Sequence, residues 1–217
     1  MFKLPLDESL YIWQSDDHLK LSSDARTLSD FAPIHNNRVV CDMGCGVGNI
    51  SMLIHRKKNV KILAFDVQEE AVDIFSRTVR EQNLSDITPF VADIRDCPIP
   101  HDSVDYCVCN PPYTDSWIPK EKDSLGVAMH VGVSFHDIAK CAYNMLKDGG
   151  SFCTVLRVDK MPEMLEALRE NRFGIIRMQN VFYNLGREAS LTLIDARKNR
   201  SSQLRFLPPY ILEGDTL

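Results

Sequence analysis

Asn110-Pro111-Pro112-Tyr113 combines residue types that can hold a planar polar group. It follows Val104–Cys109, an apolar run that reads as a buried strand. Two prolines stop that strand, because they lack N–H groups and fix φ, so the tetrapeptide must sit at its end. Asn110 supplies an amide, and Tyr113 supplies an aromatic face on which a flat ligand can stack. The same residues also suit a plain turn, with Tyr113 as a packing residue.

A second group lies upstream, in Asp42-Met43-Gly44-Cys45-Gly46-Val47-Gly48. Glycines after a strand let the backbone turn sharply and let a ligand approach without a Cβ in the way. A helix that follows offers unpaired N–H groups. Asp66 ends the next apolar run, 24 residues after Asp42, where a carboxylate can accept hydrogen bonds from both hydroxyls of a ribose. A nicotinamide dinucleotide and S-adenosylmethionine both fit these residues, which do not choose between them. Asp93-Ile94, after Phe90-Val91-Ala92, is a ligand contact or a turn former; Asp24 is a ligand contact or a helix cap.

The elements that must position these groups follow a regular pattern. Strands are expected at 39–43, 60–66, 87–92, 104–109, 151–158, 173–183 and 189–196, with helices at 49–57, 68–83, 132–146 and 161–171. Alternation of this kind gives an α/β fold, a mostly parallel sheet with helices on both faces. A turn at 184–187 joins the last two strands as a hairpin, which makes one strand antiparallel. Lys147-Asp148-Gly149-Gly150 reads as the turn that closes the 132–146 helix. Residues 1–37 form an N-terminal extension and 38–217 the main domain. The extension is expected to hold short strands at 10–13 and 18–21 and a helix that begins at Ser22-Ser23-Asp24 and ends at Pro33. The tail around 206–210 is expected to be irregular.

Composition narrows the class. A chain of 217 residues with 44% hydrophobic content suits one soluble domain with one sizeable core. No apolar run reaches the roughly 18 residues of a membrane span, and the N-terminus lacks a leader-like stretch, so a cytoplasmic protein is expected. Seven cysteines without a C-x-x-C pair, and six histidines without an H-x-x-x-H pattern, point to reduced thiols and no metal. The net charge of −5 does not favour general nucleic-acid affinity.

Together, the glycine turn and the Asn-Pro-Pro-Tyr stretch, in this order and about 65 residues apart, resemble the class I S-adenosylmethionine-dependent amino-methyltransferases. The resemblance implies a Rossmann-like seven-stranded sheet and S-adenosyl-L-methionine as cofactor. It implies that Asp42, Gly44, Cys45, Gly46 and Gly48 line the cofactor, and that Asp66 and Val67 take its ribose side. Asp93 would read the adenine amino group with Ile94 beside the ring, and Asp24 would close over the cofactor. Asn110, Pro111, Pro112 and Tyr113 would hold the amino nitrogen that receives the methyl group, with Asn110 also beside the cofactor. Such a nitrogen is a poor nucleophile, since its lone pair is delocalised. Two acceptors on its N–H bonds, the Asn110 oxygen and the Pro111 carbonyl, favour a pyramidal nitrogen and orient the lone pair.

The motif is shared by adenine-N6 enzymes acting on DNA or RNA and by release-factor glutamine methyltransferases, and some methyltransferase-like subunits only bind the cofactor. A large helical N-terminal domain, usual in the glutamine enzymes, and a target-recognition domain, usual in the DNA enzymes, are not evident. By overall plan the chain is most similar to the small family that methylates N6 of an adenosine beside the anticodon of a valine tRNA. That family often has Arg-His-Glu in the loop after the fourth strand, where this chain has Ala128-Met129-His130-Val131. A nucleic-acid substrate, tRNA before others, is the expected partner. Lys120, Lys122, Arg157, Lys160 and Arg187 are the candidate backbone contacts.

Overall fold

The computed structural model describes residues 1–15, 21–111, 132–184 and 186–212. The chain opens with an antiparallel hairpin, β1 (Phe2–Pro5) with β2 (Tyr11–Gln14). This differs from the strand pair expected at 10–13 and 18–21. The partner of β2 lies upstream because Asp7 closes a turn, its carboxylate accepting from the N–H groups of Ser9 (2.8 Å) and Leu10 (2.9 Å). Leu21 is in no strand, and 18–20 fall outside the described residues. Helix α1 (Ser23–Phe31) is capped by Ser22, which accepts from Ala25 N–H at 3.3 Å. Its Ala25, Leu28 and Phe31 are buried, as their helical spacing predicts.

The main sheet is built from β3 (Val39–Met43), β4 (Lys61–Asp66), β5 (Ile87–Val91), β6 (Val104–Cys109), β7 (Leu146–Arg157), β8 (Phe173–Phe182) and β9 (Leu191–Lys198). Between them run α2 (Asn49–Lys57), α3 (Glu69–Glu81), α4 (Phe135–Met145) and α5 (Met161–Glu170). The spatial order is β5-β4-β3-β6-β7-β9-β8, with β9 antiparallel to both neighbours. Strand order therefore reverses between β3 and β6, and ligands of open α/β sheets bind beyond the carboxyl ends of strands at such a point.

Side chains alternate between two apolar layers. Val40, Ile62 and Val108 pack with Leu28 of α1, Met52 and Leu53 of α2, and Phe75 of α3. Cys41, Cys107 and Phe152 pack on the other face with Ile138 and Met145 of α4 and Met164 and Leu168 of α5. Parallel strands buried on both faces need such continuous apolar runs. All seven cysteines are free thiols, six of them buried and Cys97 half-buried.

Two boundaries depart from the sequence reading. Helix α4 starts at Phe135 because Ser134 and Asp137 form a reciprocal capping box. It ends at Met145 and the chain passes into β7, where buried Leu146 pairs with Val104; the register then steps to Tyr106–Ser151, so residues 147–150 bulge out unpaired with Gly149 at φ 73°, in keeping with the turn expected there. The tail forms two short strands, β10 (Arg205–Phe206) and β11 (Tyr210–Ile211), both parallel to β8. They satisfy an otherwise open sheet edge and extend the seven-stranded core to nine strands.

Candidate active site

The parallel registers bring four strand ends level. Met43 of β3 pairs with Cys109 of β6 and with Phe65 of β4, while Asp66 pairs with Val91 of β5. The glycine turn therefore starts beside Asn110, which is half-buried next to buried Pro111. Pro112 and Tyr113 lie outside the described residues, as do Lys120, Lys122 and His130.

The turn is a hydrogen-bonded unit. Gly44 and Cys45 N–H both donate to the Phe65 carbonyl (2.9 and 3.0 Å), and Gly48 N–H donates to the Cys45 carbonyl (2.9 Å). Gly44, Gly46 and Gly48 have φ of 72°, 52° and 88°, where side chains are rarely tolerated. A Cβ on Gly44 or Gly46 would meet no atom within 4 Å, so both face open space that a ligand can occupy. Gly48, the N-cap of α2, packs instead against the ring of Phe75.

Asp66, 7% exposed, fixes this turn. One carboxylate oxygen accepts from Gly46 N–H (2.8 Å), the other from Gln68 N–H (3.0 Å). Each oxygen keeps a second lone pair for a hydroxyl. Val67 follows it as an apolar side chain 48% exposed beyond the carboxyl end of β4, a placement that suits a flat ring above it.

Asp42 is fully buried. Its Oδ2 accepts from Ser51 N–H (3.0 Å) and from the Ser51 hydroxyl (2.6 Å), whereas Oδ1 has no partner. Burial pushes its carboxyl up to about 6 against the Ser51 hydrogen bonds, and nearby Asp66 adds to the rise. Because the folded form holds its proton more tightly than the unfolded chain, ionisation costs stability. That cost is absent below the ordinary value of 3.8, grows as pH rises to about 6, and is complete above. Asp42→Asn should therefore melt higher than the parent at pH 8, by about 1–3 kcal/mol, and lose the advantage towards pH 4. Equal melting of both proteins at both pH values would contradict a strained carboxyl. Burial also pushes the Cys45 and Cys109 thiols up, so neither supplies a thiolate nucleophile here.

Other expected residues are placed differently. Asp93 caps a short turn at 94–96, and its carboxylate takes both the backbone N–H and the guanidinium of Arg95. Arg95 holds that carboxyl down at about 2. Asp93 thus meets an adenine only through a lone pair that Arg95 leaves open. Ile94 is part-buried against the adjoining core. Asp24 sits in the first turn of α1, accepting from the Ser23 hydroxyl at 3.2 Å, and the cap is Ser22. Arg157 is paired with Asp159, and Lys160 is 8% exposed and faces Glu163, which removes Lys160 from the surface candidates. Arg187 is exposed.

Sequence reasoning missed Ser51, Gln68 and Gln14. Ser51 was legible in principle, since the third residue of a helix faces back toward the strand that feeds it. Gln14 is 1% exposed and donates to the Asn49 side chain at 2.8 Å, at the first residue of α2.

The strand order, the glycine turn and the acid at the end of β4 define a class I S-adenosylmethionine-dependent methyltransferase, with S-adenosylmethionine as its cofactor. The chain belongs to the methyltransferase small domain family, whose model matches residues 20–180. It is 26% identical over 166 residues to a tRNA1(Val) (adenine(37)-N6)-methyltransferase of Yersinia enterocolitica, covering 74% of this chain and 66% of that protein. A protein of the same description from Aliivibrio salmonicida is 21% identical over 205 residues, covering 92% and 82%. Among solved structures, one from Agrobacterium tumefaciens described as a predicted O-methyltransferase superposes with a TM-score of 0.71 at 19% identity, covering 89% of each chain. A Mesorhizobium loti S-adenosylmethionine-dependent methyltransferase gives 0.62 at 16% identity, covering 82% of this chain and all of the other. These structural likenesses speak to the fold.

Proposed function

We propose that this protein methylates N6 of an adenosine in a tRNA anticodon loop. The observation that carries the reading is the Met43–Cys109 pairing, which sets Asn110-Pro111 beside the glycine turn. The description of the two bacterial relatives supports the choice of substrate.

Bound cofactor supplies a sulfonium methyl group that an amino nitrogen can attack in line. The chain's own part is to present that nitrogen. The Asn110 amide oxygen and the Pro111 carbonyl accept its two N–H bonds, and the pull strengthens as the nitrogen becomes positive. Tyr113 stacks on the base. The product ammonium is acidic enough to lose its proton to water, so no strong general base is needed. A loop adenosine is already unpaired, and turning it into the site costs less than extracting it from a duplex. The preformed shape of the loop then adds to recognition. Residues 1–37 close over the cofactor in this reading, and a cytoplasmic location follows from it. Among the described residues, no helix is long and apolar enough to cross a membrane.

Asp66→Ala removes the acceptor for the ribose and loosens the turn. It should weaken S-adenosylhomocysteine binding by roughly 1.5–3 kcal/mol in calorimetry. Unchanged affinity would remove Asp66 from the site. Incubation with labelled cofactor and separate pools of total tRNA, duplex DNA and release-factor protein tests the substrate. Label is expected in tRNA, whereas label confined to protein would transfer the activity to a glutamine side chain.

A further inference from the structure

The seven thiols are not alike. Cys41, Cys45, Cys107, Cys109 and Cys153 lie in the sheet or its glycine turn, and burial pushes each of them up. Cys97 is half-buried, directly after the 94–96 turn. Its sulfur lies 3.7 Å from Met145 Sδ, in the last turn of α4. Cys141 stands four residues before Met145, on the same helix face, and is 6% exposed. The Cys141 thiol hydrogen-bonds to the Cys97 sulfur. That bond, with the Ile99 N–H, holds the Cys97 thiol below the usual range, against burial and the nearby Asp96 carboxylate. The same bond, together with burial, pushes the Cys141 thiol up. A half-buried sulfur with thiolate character thus lies beside a sheltered neutral thiol, which suits an attacking and a resolving cysteine.

The two cysteines belong to elements of unequal hold. Helix α4 is fixed in the core through Ile138, Ala139 and Ala142, all buried. The 93–97 turn is held less, and its Arg95 and Asp96 are exposed. The turn starts beside the candidate site, where Ala92 N–H donates to the Asp66 carbonyl (3.0 Å). It also carries Asp93 and Ile94. A disulfide is about 2 Å long, shorter than a hydrogen bond between two sulfurs. Closing it therefore draws the turn toward α4, and Asp93 and Ile94 move with it.

We propose that peroxide joins Cys97 and Cys141 in a reversible disulfide, and that this bond lowers affinity for the cofactor. The Cys97 thiolate attacks one oxygen of hydrogen peroxide. The O–O bond breaks, and the departing hydroxide takes a proton and leaves as water. Cys141 then loses its proton to solvent and attacks the sulfenic sulfur. The S–S bond forms, the S–O bond breaks, and a second hydroxide leaves as water. Two thiols and one peroxide give one disulfide and two waters, and a dithiol reductant restores both thiols. The disulfide stands on the two cysteines alone, whereas its effect on affinity rests on the cofactor reading above.

Peptide mapping and calorimetry on the full chain test it. The protein is treated with hydrogen peroxide, its remaining thiols are blocked, and it is digested without reduction for mass spectrometry. S-adenosylhomocysteine binding is measured on the reduced and the oxidised protein. The expected product is a peptide pair joined through Cys97 and Cys141. Affinity should fall by about tenfold, as for one lost hydrogen bond to a carboxylate, and return with dithiothreitol. Cys97→Ser should show neither the bond nor the fall. Cys141→Ala lacks the resolving thiol and should instead carry added oxygen on Cys97. Should Cys141→Ala fail to fold, Cys97→Ser against the parent decides alone. No disulfide, a disulfide between other cysteines, or unchanged affinity after oxidation would overturn the proposal. A reduced protein that does not bind S-adenosylhomocysteine would sink the cofactor reading and the control of affinity with it, while the mapped bond would still decide the disulfide.

Discussion

Replacing Asn110 with alanine should cut turnover by at least about 10²-fold while leaving S-adenosylhomocysteine affinity nearly unchanged. Asn110 stands at the carboxyl end of β6, one residue beyond the Met43–Cys109 pair, half-buried at the reversal point of the sheet. Its amide oxygen is one of two acceptors that draw on the reacting nitrogen, and the contact grows stronger as positive charge develops there. Losing it therefore falls on kcat more than on binding. Asn110→Asp retains an acceptor at the same place and should keep more activity than Asn110→Ala. Single-turnover kinetics with saturating cofactor read the effect. An alanine variant of near-normal turnover would show that Asn110 only shapes the turn.

Gly48→Ala should be strongly destabilising. Gly48 sits at φ 88°, and an added Cβ would lie 2.3 Å from the ring of Phe75. Phe75 is fully buried in α3 and cannot swing out to solvent. The left-handed backbone costs about 1–2 kcal/mol for any other residue, and overpacking a core adds about 1–3 kcal/mol. A loss of about 2–5 kcal/mol should lower the melting temperature by on the order of 10 °C in a domain of this size. Gly46→Ala is the informative comparison, since its Cβ would meet no atom within 4 Å. It should pay only the backbone term yet lose cofactor binding, because its methyl group enters the space the ligand needs. Similar melting of the two variants would refute the close packing of Gly48 on α3.

The main sheet and the cofactor turn were legible because their signals are local. Glycines, acids and apolar runs at strand ends carry their meaning in sequence order. Gln14 was not legible, because its burial depends on a hairpin whose partner strand lies upstream and whose docking depends on Thr78 and Gln82. The turn at 147–150 was legible from its two glycines, but its place as a bulge within β7 was not, because that depends on Leu146 pairing with Val104 before the register steps to Ser151. Asp93 was read from its place after β5, but Arg95, two residues on, competes for the same carboxylate. The tail gave no apolar period, and its pairing arises only because β8 leaves an open edge.

The central claim is that a methyl group passes from S-adenosylmethionine to the N6 amino group of an adenosine in tRNA, held by Asn110 and Pro111. The most direct measurement uses cofactor carrying a deuterated methyl group, unmodified tRNA and the purified protein. The tRNA is then digested to nucleosides and examined by mass spectrometry. Deuterated N6-methyladenosine that forms with the parent protein and all but disappears with Asn110→Ala is the predicted result. Deuterium in a different nucleoside, or in none while the cofactor is bound, would contradict the account.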